Sequence, residues 1–392
     1  MARTVEDRLT LACLKLLFKE REEVMKEIGA LVGMGVNEHA FLHGLECEGV
    51  AGLVYFTLSQ DSSAKTLFAD GIVTKLREGY YSEAGRNVRM LHHLAMVLQH
   101  FERAGIKTVV WKGAALVDEV YPSPGTRGMS DVDLVVPETQ FARATQLLTE
   151  LDFSSSFTHP YLFFLPGLLL DMHTDIVNSS GSIKARSYAV KMEIEELWQR
   201  GIPWREGYGS VRLLSPCDAL LTLIVHLQRH SFSRLIWFVD LVLLVQHYER
   251  KGLWGERGWQ TVLESAKVFN LMRGLYFTVH FLHDVLEFPM PREVLQPSNF
   301  PRLNTLERTL FWMLLEGKPF EPWGELLFLF SIPSVTDRGR FLFDLVSPRP
   351  ESRPAMGNTP WLPGVGYLLR LGRVLRLVTT SLTRSVKGRV GD

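Results

Sequence analysis

Two aspartates separated by one residue, Asp131 and Asp133, begin an apolar run over residues 131–136. The pattern predicts a β-strand, in which every second side chain faces the same way. Asp131 and Asp133 would then share one face of that strand, while the apolar side chains pack on the other. Two carboxylates that close repel each other unless a positive charge lies between them. A hard divalent cation such as Mg²⁺ or Mn²⁺ prefers oxygen ligands of this kind, so the pair predicts a metal site.

The residues before this pair suit a phosphate group. A helix predicted over 114–121 begins directly after Gly113. Glycine lets a backbone approach closely, and the start of a helix presents unpaired N–H groups to an anion. Lys112 and Arg127 would add positive charge. The candidate nucleotide-binding residues are therefore Lys112, Gly113, Arg127 and Ser130.

A second polar strand is expected further along the chain. Two extended runs, 161–165 and 168–176, are joined at Pro166-Gly167 and predict a hairpin. On the second run, Asp171, His173 and Asp175 alternate with apolar residues and would share one strand face. A third metal-binding carboxylate, from Asp171 or Asp175, would lie there opposite the acidic pair.

These motifs resemble the nucleotidyltransferases of the DNA polymerase beta superfamily, in which a Gly-Ser-led helix precedes a strand carrying Asp-x-Asp. The closer similarity is to a bacterial family usually described as uncharacterised nucleotidyltransferases. Its pattern is matched by Lys112-Gly113, Tyr121, Arg127, Asp131-Val132-Asp133 and Asp171-Met172-His173. One position departs from the wider superfamily, because Ala114 stands where a phosphate-binding Ser is usual. Only a backbone contact to phosphate would remain there.

The resemblance implies an α+β fold with a small mixed β-sheet, like the polymerase beta core, flanked by helical regions. It implies metal-dependent transfer of a nucleoside monophosphate from an NTP to an acceptor hydroxyl, with Mg²⁺ or Mn²⁺ as the cofactor. Asp131, Asp133 and Asp171 would be the catalytic and metal-binding residues, with Asp175 as the substitute for Asp171. His173 would support a ligand, touch the nucleotide or simply pack in the core.

Two histidines, His226 and His230, lie four residues apart on a helix that Ser215-Pro216 is expected to begin. This spacing can bind zinc, but no His-Glu-x-x-His motif is present, and a packing or hydrogen-bonding role is favoured. The resembling family also carries a His here and an Asp at the position of Asp240. His226 and Asp240 are therefore auxiliary candidates that would pair with each other across a helical hairpin.

Composition restricts the class of protein. The formal net charge of the 392 residues is zero, so nucleic acid is disfavoured as a partner. Three scattered cysteines without metal-type spacing indicate reduced thiols in a cytoplasmic protein. The longest apolar run, 235–245, contains Asp240 and falls short of the ~20 residues that a transmembrane helix needs. The N-terminus is too interrupted by charge for a signal peptide.

The chain is expected to divide into four parts. Residues 1–105 form a helical region, 106–215 an α/β core with about four or five strands, and 216–347 a second helical region. Residues 348–392 form a Pro-rich linker and a basic amphipathic tail. That tail would dock on the protein itself or make a peripheral contact with an anionic membrane.

Two other functions remain open at this point. A catalytically silent nucleotide-binding or scaffold protein of the same fold is supported by the missing serine at Ala114. A glycosyltransferase could use Asp-x-Asp to hold a manganese–nucleotide sugar. It would require a Rossmann-like domain ahead of the motif, whereas residues 1–105 have helical periodicity. The acceptor and the base of the NTP are left open.

Overall fold

The computed structural model of the chain describes residues 3–60, 66–156, 159–177, 187–255, 257–318 and 324–346. Within these ranges, helices flank one mixed β-sheet, which confirms the expected α+β fold. None of the described helices is long and apolar enough to cross a membrane. The linker and basic tail predicted for 348–392 lie outside the described residues.

The sheet is built between residues 108 and 213. Its strands are β1 Thr108–Trp111, β2 Val132–Val135, β3 Ser154–Ser155, β4 Leu162–Leu165, β5 Leu168–His173, β6 Ile202–Pro203 and β7 Val211–Leu213. Their order is β3-β4-β5-β2-β1-β7-β6, seven strands where about four or five were expected. The additional strands are two or three residues long, too short to show an alternating pattern.

Both predicted acidic strands lie at the centre of the sheet. Strand β2 pairs in parallel with β5 and antiparallel with β1. The expected hairpin is present, because β4 and β5 are antiparallel and Gly167 joins them with a φ of +91°. Such a φ suits glycine because it has no Cβ to clash with the backbone. The parallel β2–β5 pairing brings the two polar faces together.

The helices before the sheet are α1 Val5–Lys15, α2 Arg21–Gly33, α3 Glu38–Cys47, α4 Ala51–Ser59 and α5 Asp70–Arg103. Helix α5 has 34 residues and links the two hydrophobic cores found among the described residues. Ile72 and Leu76 near its start pack with the other helices, whereas Leu94 and Phe101 near its end pack against the sheet. Helices α6 Lys112–Glu119 and α7 Glu138–Glu150 lie between strands in the sequence.

The later helices are α8 Ile194–Arg200, α9 Pro216–Arg229, α10 Leu235–Arg250, α11 Gly258–Val268, α12 Met272–Asp284, α13 Thr305–Leu315, α14 Gly324–Ser331 and α15 Val335–Val346. Ser215 caps α9 as expected, since its hydroxyl accepts a hydrogen bond from the Asp218 N–H at 3.3 Å. Helix α10 contains the apolar 235–245 run, most of whose side chains are buried.

The helices before and after the sheet share one hydrophobic core. Buried residues from Leu9 in α1 to Phe341 in α15 belong to it. Backbone contacts reinforce the packing, because the Ile236 N–H donates to the Glu48 carbonyl at 3.1 Å. This packing places the turn between α9 and α10 beside the end of α3, near the acidic residues of the central strands β2 and β5.

Candidate functional site

Asp133 and Asp171 are neighbours across the two central parallel strands. Asp133 in β2 stands in register with Asp171 in β5. One ligand atom from each, together with a ring nitrogen of His173, lies within 4.8 Å of the other two. Side chains in register on parallel strands face the same side of a sheet. The fold therefore gathers two carboxylates and an imidazole into one group that could hold a metal ion.

His173 is integrated into this group. Its Nε2 lies 2.7 Å from Asp133 Oδ1 and 3.4 Å from Asp171 Oδ2. The ring is buried and packs edge-on against Trp111, with centroids 5.6 Å apart. Because the imidazole touches both carboxylates, it is part of the polar site and not a plain core histidine.

Asp171 has a carboxylate oxygen that the protein leaves unsatisfied. Its Oδ1 is buried and has no hydrogen-bond partner among the described residues. Burial raises the pKa of Asp171, and the charges of Asp133 and Asp131 add to that effect. A buried oxygen without a donor is costly unless a cation or another donor meets it. Two carboxylates and an imidazole so close together could therefore hold a divalent cation.

Lys112 contacts the acidic group directly. Its Nζ lies 2.6 Å from Asp133 Oδ1 and 4.0 Å from the centre of the Trp111 ring. Burial alone would raise the pKa of Asp133, but Lys112 and His173 outweigh it and hold that pKa well below its ordinary value. The backbone of Lys112 has a φ of +49°, a conformation that costs a non-glycine residue about 1–2 kcal/mol. Strain of this kind often marks functional positions.

Asp131 lies at the edge of the acidic group. Strand β2 begins at Val132, one residue later than predicted, so Asp131 precedes the strand. Asp131 lines the same cavity as Asp133, and its Oδ1 accepts a hydrogen bond from the Ser130 hydroxyl at 2.8 Å. It is not a member of the group within 4.8 Å. Asp175 follows β5, where its Oδ1 accepts from the Val177 N–H at 2.6 Å.

Gly113 brings the start of α6 against Arg127. The helix begins at Lys112, two residues before the predicted position, so Gly113 lies in its first turn. A Cβ on Gly113 would lie 2.7 Å from Arg127 Nη1, which only glycine avoids. The first N–H groups of a helix have no partner within the helix. Ala114 points away into the core, where it is fully buried.

Asp240 holds Arg127 in a buried ion pair. Nε of Arg127 donates to Asp240 Oδ1 at 2.7 Å, and Nη2 donates to Oδ2 at 2.8 Å. The Tyr121 hydroxyl also donates to Oδ1, at 2.7 Å. Burial would lower the pKa of Arg127, but Asp240 outweighs it and raises that pKa above its ordinary value. The expected pairing of Asp240 with His226 is wrong, because both carboxylate oxygens bind Arg127.

Asn87 is a positioning residue that sequence reasoning missed. It is fully buried in α5, and its Nδ2 donates to the carbonyls of Pro124 and Arg127, each at 2.7 Å. The loop before Arg127 packs so closely that a Cβ on Gly125 would lie 2.7 Å from the Tyr80 carbonyl. A single polar side chain on the apolar stripe of a long helix was the available signal.

His226 belongs to an aromatic cluster. It lies in α9, with ring centroids 4.5 Å from His230 and 5.0 Å from Trp237. Burial lowers the pKa of His226 well below its ordinary value, with the nearby charge of Lys112 adding to the effect. Within the described ranges, no third His, Cys, Asp or Glu joins His226 and His230 at metal-binding distance. The two imidazoles contact each other and the Trp237 ring.

A cavity of about 720 Å³ connects these groups. The central strands β2 and β5 contribute the acidic group, and α6 contributes its first turn. The loop before β2 contributes Arg127 and Ser130. The α3–α4 segment, helix α5 and the ends of α9 and α10 with the turn between them line the rest. Ligand pockets typically measure about 300–1,000 Å³, so this volume suits a nucleotide-sized molecule. All four candidate nucleotide-binding residues line it, as do the three candidate metal-binding aspartates.

Comparison with known proteins places the chain in a family. Neither a curated protein nor a solved structure matches it. A family model described as uncharacterised nucleotidyltransferase matches residues 35–287, which include every residue of the acidic group and the α9–α10 turn. Since the match covers more than half of the 392 residues, the chain belongs to this family of uncharacterised nucleotidyltransferases.

Proposed function

We propose that this protein transfers a nucleoside monophosphate from an NTP to an acceptor hydroxyl in a reaction that depends on a divalent cation. The observation that carries the proposal is the grouping of Asp133, Asp171 and His173 within 4.8 Å, beside the Gly113-led start of α6. A metal site next to a helix N-terminus is the arrangement that a metal–triphosphate requires. Membership of a nucleotidyltransferase family supports the same reaction class.

Asp133 and Asp171 would hold the cation, with Asp131 as a further oxygen ligand at the edge of the site. Mg²⁺ or Mn²⁺ bound there would offset the negative charge of the triphosphate and of the leaving pyrophosphate. His173, buried against Trp111, would keep Asp133 in place through the 2.7 Å contact from Nε2. Residues that orient metal ligands in this way influence affinity strongly.

The triphosphate would lie at the start of α6. Gly113 lets phosphate oxygens approach the free N–H groups of the first turn. Arg127 uses Nε and Nη2 on Asp240, and its Nη1 faces Gly113, where it would meet a phosphate oxygen. Ser130 would add a hydroxyl. Lys112, which now neutralises Asp133, would contribute its positive charge to the bound triphosphate.

The reaction needs no covalent protein intermediate. The acceptor oxygen would form a bond to the α-phosphorus, and the bond from that phosphorus to the oxygen bridging to the β-phosphate would break. Pyrophosphate leaves, and the hydroxyl proton passes to solvent or to a carboxylate of the site. The protein would contribute positioning and charge neutralisation, as expected for phosphoryl-group chemistry.

The test follows label from the α-phosphate of each NTP, and pyrophosphate release, across a panel of hydroxyl acceptors with Mg²⁺ or Mn²⁺. We expect wild-type protein to turn over and Asp133→Asn to lose at least about 100-fold in rate, because an amide cannot neutralise the cation. The Asp344→Asn variant, altered on α15 outside the cavity, is the matched control. An Asp133→Asn protein as active as wild type would exclude the mechanism.

A nucleotide-binding protein without turnover is the second candidate. Ala114 supports it, because the residue is fully buried and offers no hydroxyl to a phosphate. Metal-dependent NTP binding with no pyrophosphate release across the acceptor panel would select this function. The glycosyltransferase alternative is not supported, because the described residues before β1 form helices and not a strand–helix nucleotide domain.

A further inference from the structure

The cavity extends from the acidic group to the turn that joins α9 and α10. Three rings line it there, from His226, His230 and Trp237, and we name them the ring cluster. Lys112, Asp133 and His173 line the same cavity, so the ring cluster shares it with the acidic group. The role proposed above for the acidic group leaves this part of the cavity without a function.

The ring cluster has the composition of a stacking site. His226 and His230 have centroids 4.5 Å apart, and each lies 5.0 Å from Trp237. Trp237 is only half-buried although its neighbours Ile236 and Phe238 are fully buried in the core. A tryptophan that faces a cavity offers a broad apolar surface to another flat ring.

The turn that presents these rings is held in an unusual conformation. Ser231 and Phe232 have φ values of +54° and +53°, and each costs about 1–2 kcal/mol in a non-glycine residue. Phe232 is buried against Phe277, with centroids 5.8 Å apart. The Ser231 hydroxyl accepts from the Gly324 N–H at 3.1 Å. Packing therefore fixes a strained turn, which is typical of functional positions.

Arg234 anchors the other end of the turn. Its Nε donates to the Cys47 carbonyl at 2.9 Å, which ties the turn to the end of α3. Its guanidinium lies 5.9 Å from the centre of the Trp237 ring. A Cβ on Gly49 would lie 2.8 Å from Arg234 Nη2, so the chain leaves room for this side chain. Trp237 is thus positioned before any ligand binds, which lowers the entropy cost of binding.

His226 adds hydrogen-bonding capacity to the ring cluster. Its Nδ1 is buried without a hydrogen-bond partner among the described residues. A neutral imidazole carries one donor and one acceptor. The edges of nucleobases present both donors and acceptors, so either tautomer of His226 would find a partner on a base.

We propose that the ring cluster of His226, His230 and Trp237 is the subsite for the nucleobase of the NTP. The base stacks on Trp237 and the imidazoles, while a ring nitrogen of His226 binds its edge. The inference rests on the proposed function, because it assumes that the acidic group and the start of α6 hold the triphosphate. The cavity of about 720 Å³ has room for both parts of one nucleotide.

The test compares two ligands that share a triphosphate. One is an α,β-methylene nucleoside triphosphate, measured with each of the four bases, and the other is ribose 5-triphosphate, which has no base. Affinities are measured by calorimetry with Mg²⁺ for wild type, Trp237→Leu and Trp237→Phe. Trp312→Leu is the matched control, since Trp312 is 42% exposed on α13 and does not line the cavity.

We expect wild type to bind its preferred nucleotide about 5- to 150-fold more tightly than ribose triphosphate. This is the factor to which a stacking contribution of ~1–3 kcal/mol per base converts. Trp237→Leu should lower nucleotide affinity to the level of ribose triphosphate and leave ribose triphosphate binding unchanged. Trp237→Phe should keep most of the preference, and Trp312→Leu should behave as wild type. His226→Phe keeps a ring but should weaken discrimination among the bases.

Three outcomes would overturn the inference. Trp237→Leu could bind the nucleotide as wild type does, or it could lose affinity for both ligands by the same factor. Wild type could bind ribose triphosphate as tightly as every nucleotide. Each of these outcomes would exclude the base subsite without excluding the metal–triphosphate site. Wild type that binds neither ligand would remove the proposed function and the base subsite together.

Discussion

Arg127 and Asp240 stand 113 positions apart in the chain, yet their side chains form a buried pair with two hydrogen bonds of 2.7 and 2.8 Å. The pair joins the loop before the acidic strand to helix α10. It also fixes Arg127 so that Nη1 faces Gly113 at the start of α6. The Arg127 guanidinium is thus held by a helix that follows the sheet in the chain.

The first prediction concerns this pair. Asp240→Ala would leave the Arg127 charge buried without its partner, and we expect the free energy of unfolding to fall by about 3–5 kcal/mol. The control is Asp337→Ala, which removes an exposed pair with Arg340 and should cost about 0–1 kcal/mol. Denaturant unfolding measures both. If the two variants lost equally small amounts of unfolding free energy, the Arg127–Asp240 pair would not stabilise the fold as a buried ion pair should.

The second prediction concerns Lys112, whose Nζ shares Asp133 Oδ1 with His173. Lys112→Ala should raise the affinity for Mn²⁺ alone, because the ammonium no longer competes at Asp133. It should weaken Mg²⁺–NTP binding, because a charge near the triphosphate is lost. Paramagnetic resonance titration measures the Mn²⁺ affinity, and calorimetry measures the affinity for Mg²⁺–NTP. The control is Lys26→Ala, on an exposed face of α2, which should leave both affinities unchanged. If Lys112→Ala also left both affinities unchanged, Lys112 would lie outside the site.

The third prediction concerns Asn87, which ties α5 to the loop that carries Arg127. Asn87→Ala removes the donor to two carbonyls, and we expect a loss of about 1–3 kcal/mol in stability. Faster amide hydrogen exchange around Arg127 should accompany it. Asn299→Ala removes an exposed amide and should stay within about 0.5 kcal/mol of wild type. Unchanged exchange near Arg127 in the Asn87→Ala variant would refute the positioning role.

Local patterns predicted much of the fold and part of the site. The Asp-x-Asp strand, the hairpin before Asp171 and the capped start of α9 each carry a short-range signal, and each is present. Strands of two residues carry no such signal, so β3 and β6 were not expected. The predicted domain boundaries stay a prediction.

Long-range partners could not be predicted from the sequence in the same way. His226 was paired with Asp240 because both lie on neighbouring helices, but Arg127 takes that carboxylate from the loop before β2. The left-handed backbone of Lys112 has no sequence signal either, because it follows from tertiary contacts. Asn87 did have a sequence signal, because it is a polar residue on the apolar stripe of a long helix.

The central claim is that Asp133 and Asp171 together hold a divalent cation. Crystals of the protein soaked with Mn²⁺ and an α,β-methylene nucleoside triphosphate test it through the anomalous signal of manganese. We predict a peak about 2.0–2.6 Å from an oxygen of each aspartate, and its loss in Asp133→Asn crystals. Bound nucleotide with no manganese peak between Asp133 and Asp171, or with a peak elsewhere in the cavity, would contradict the claim.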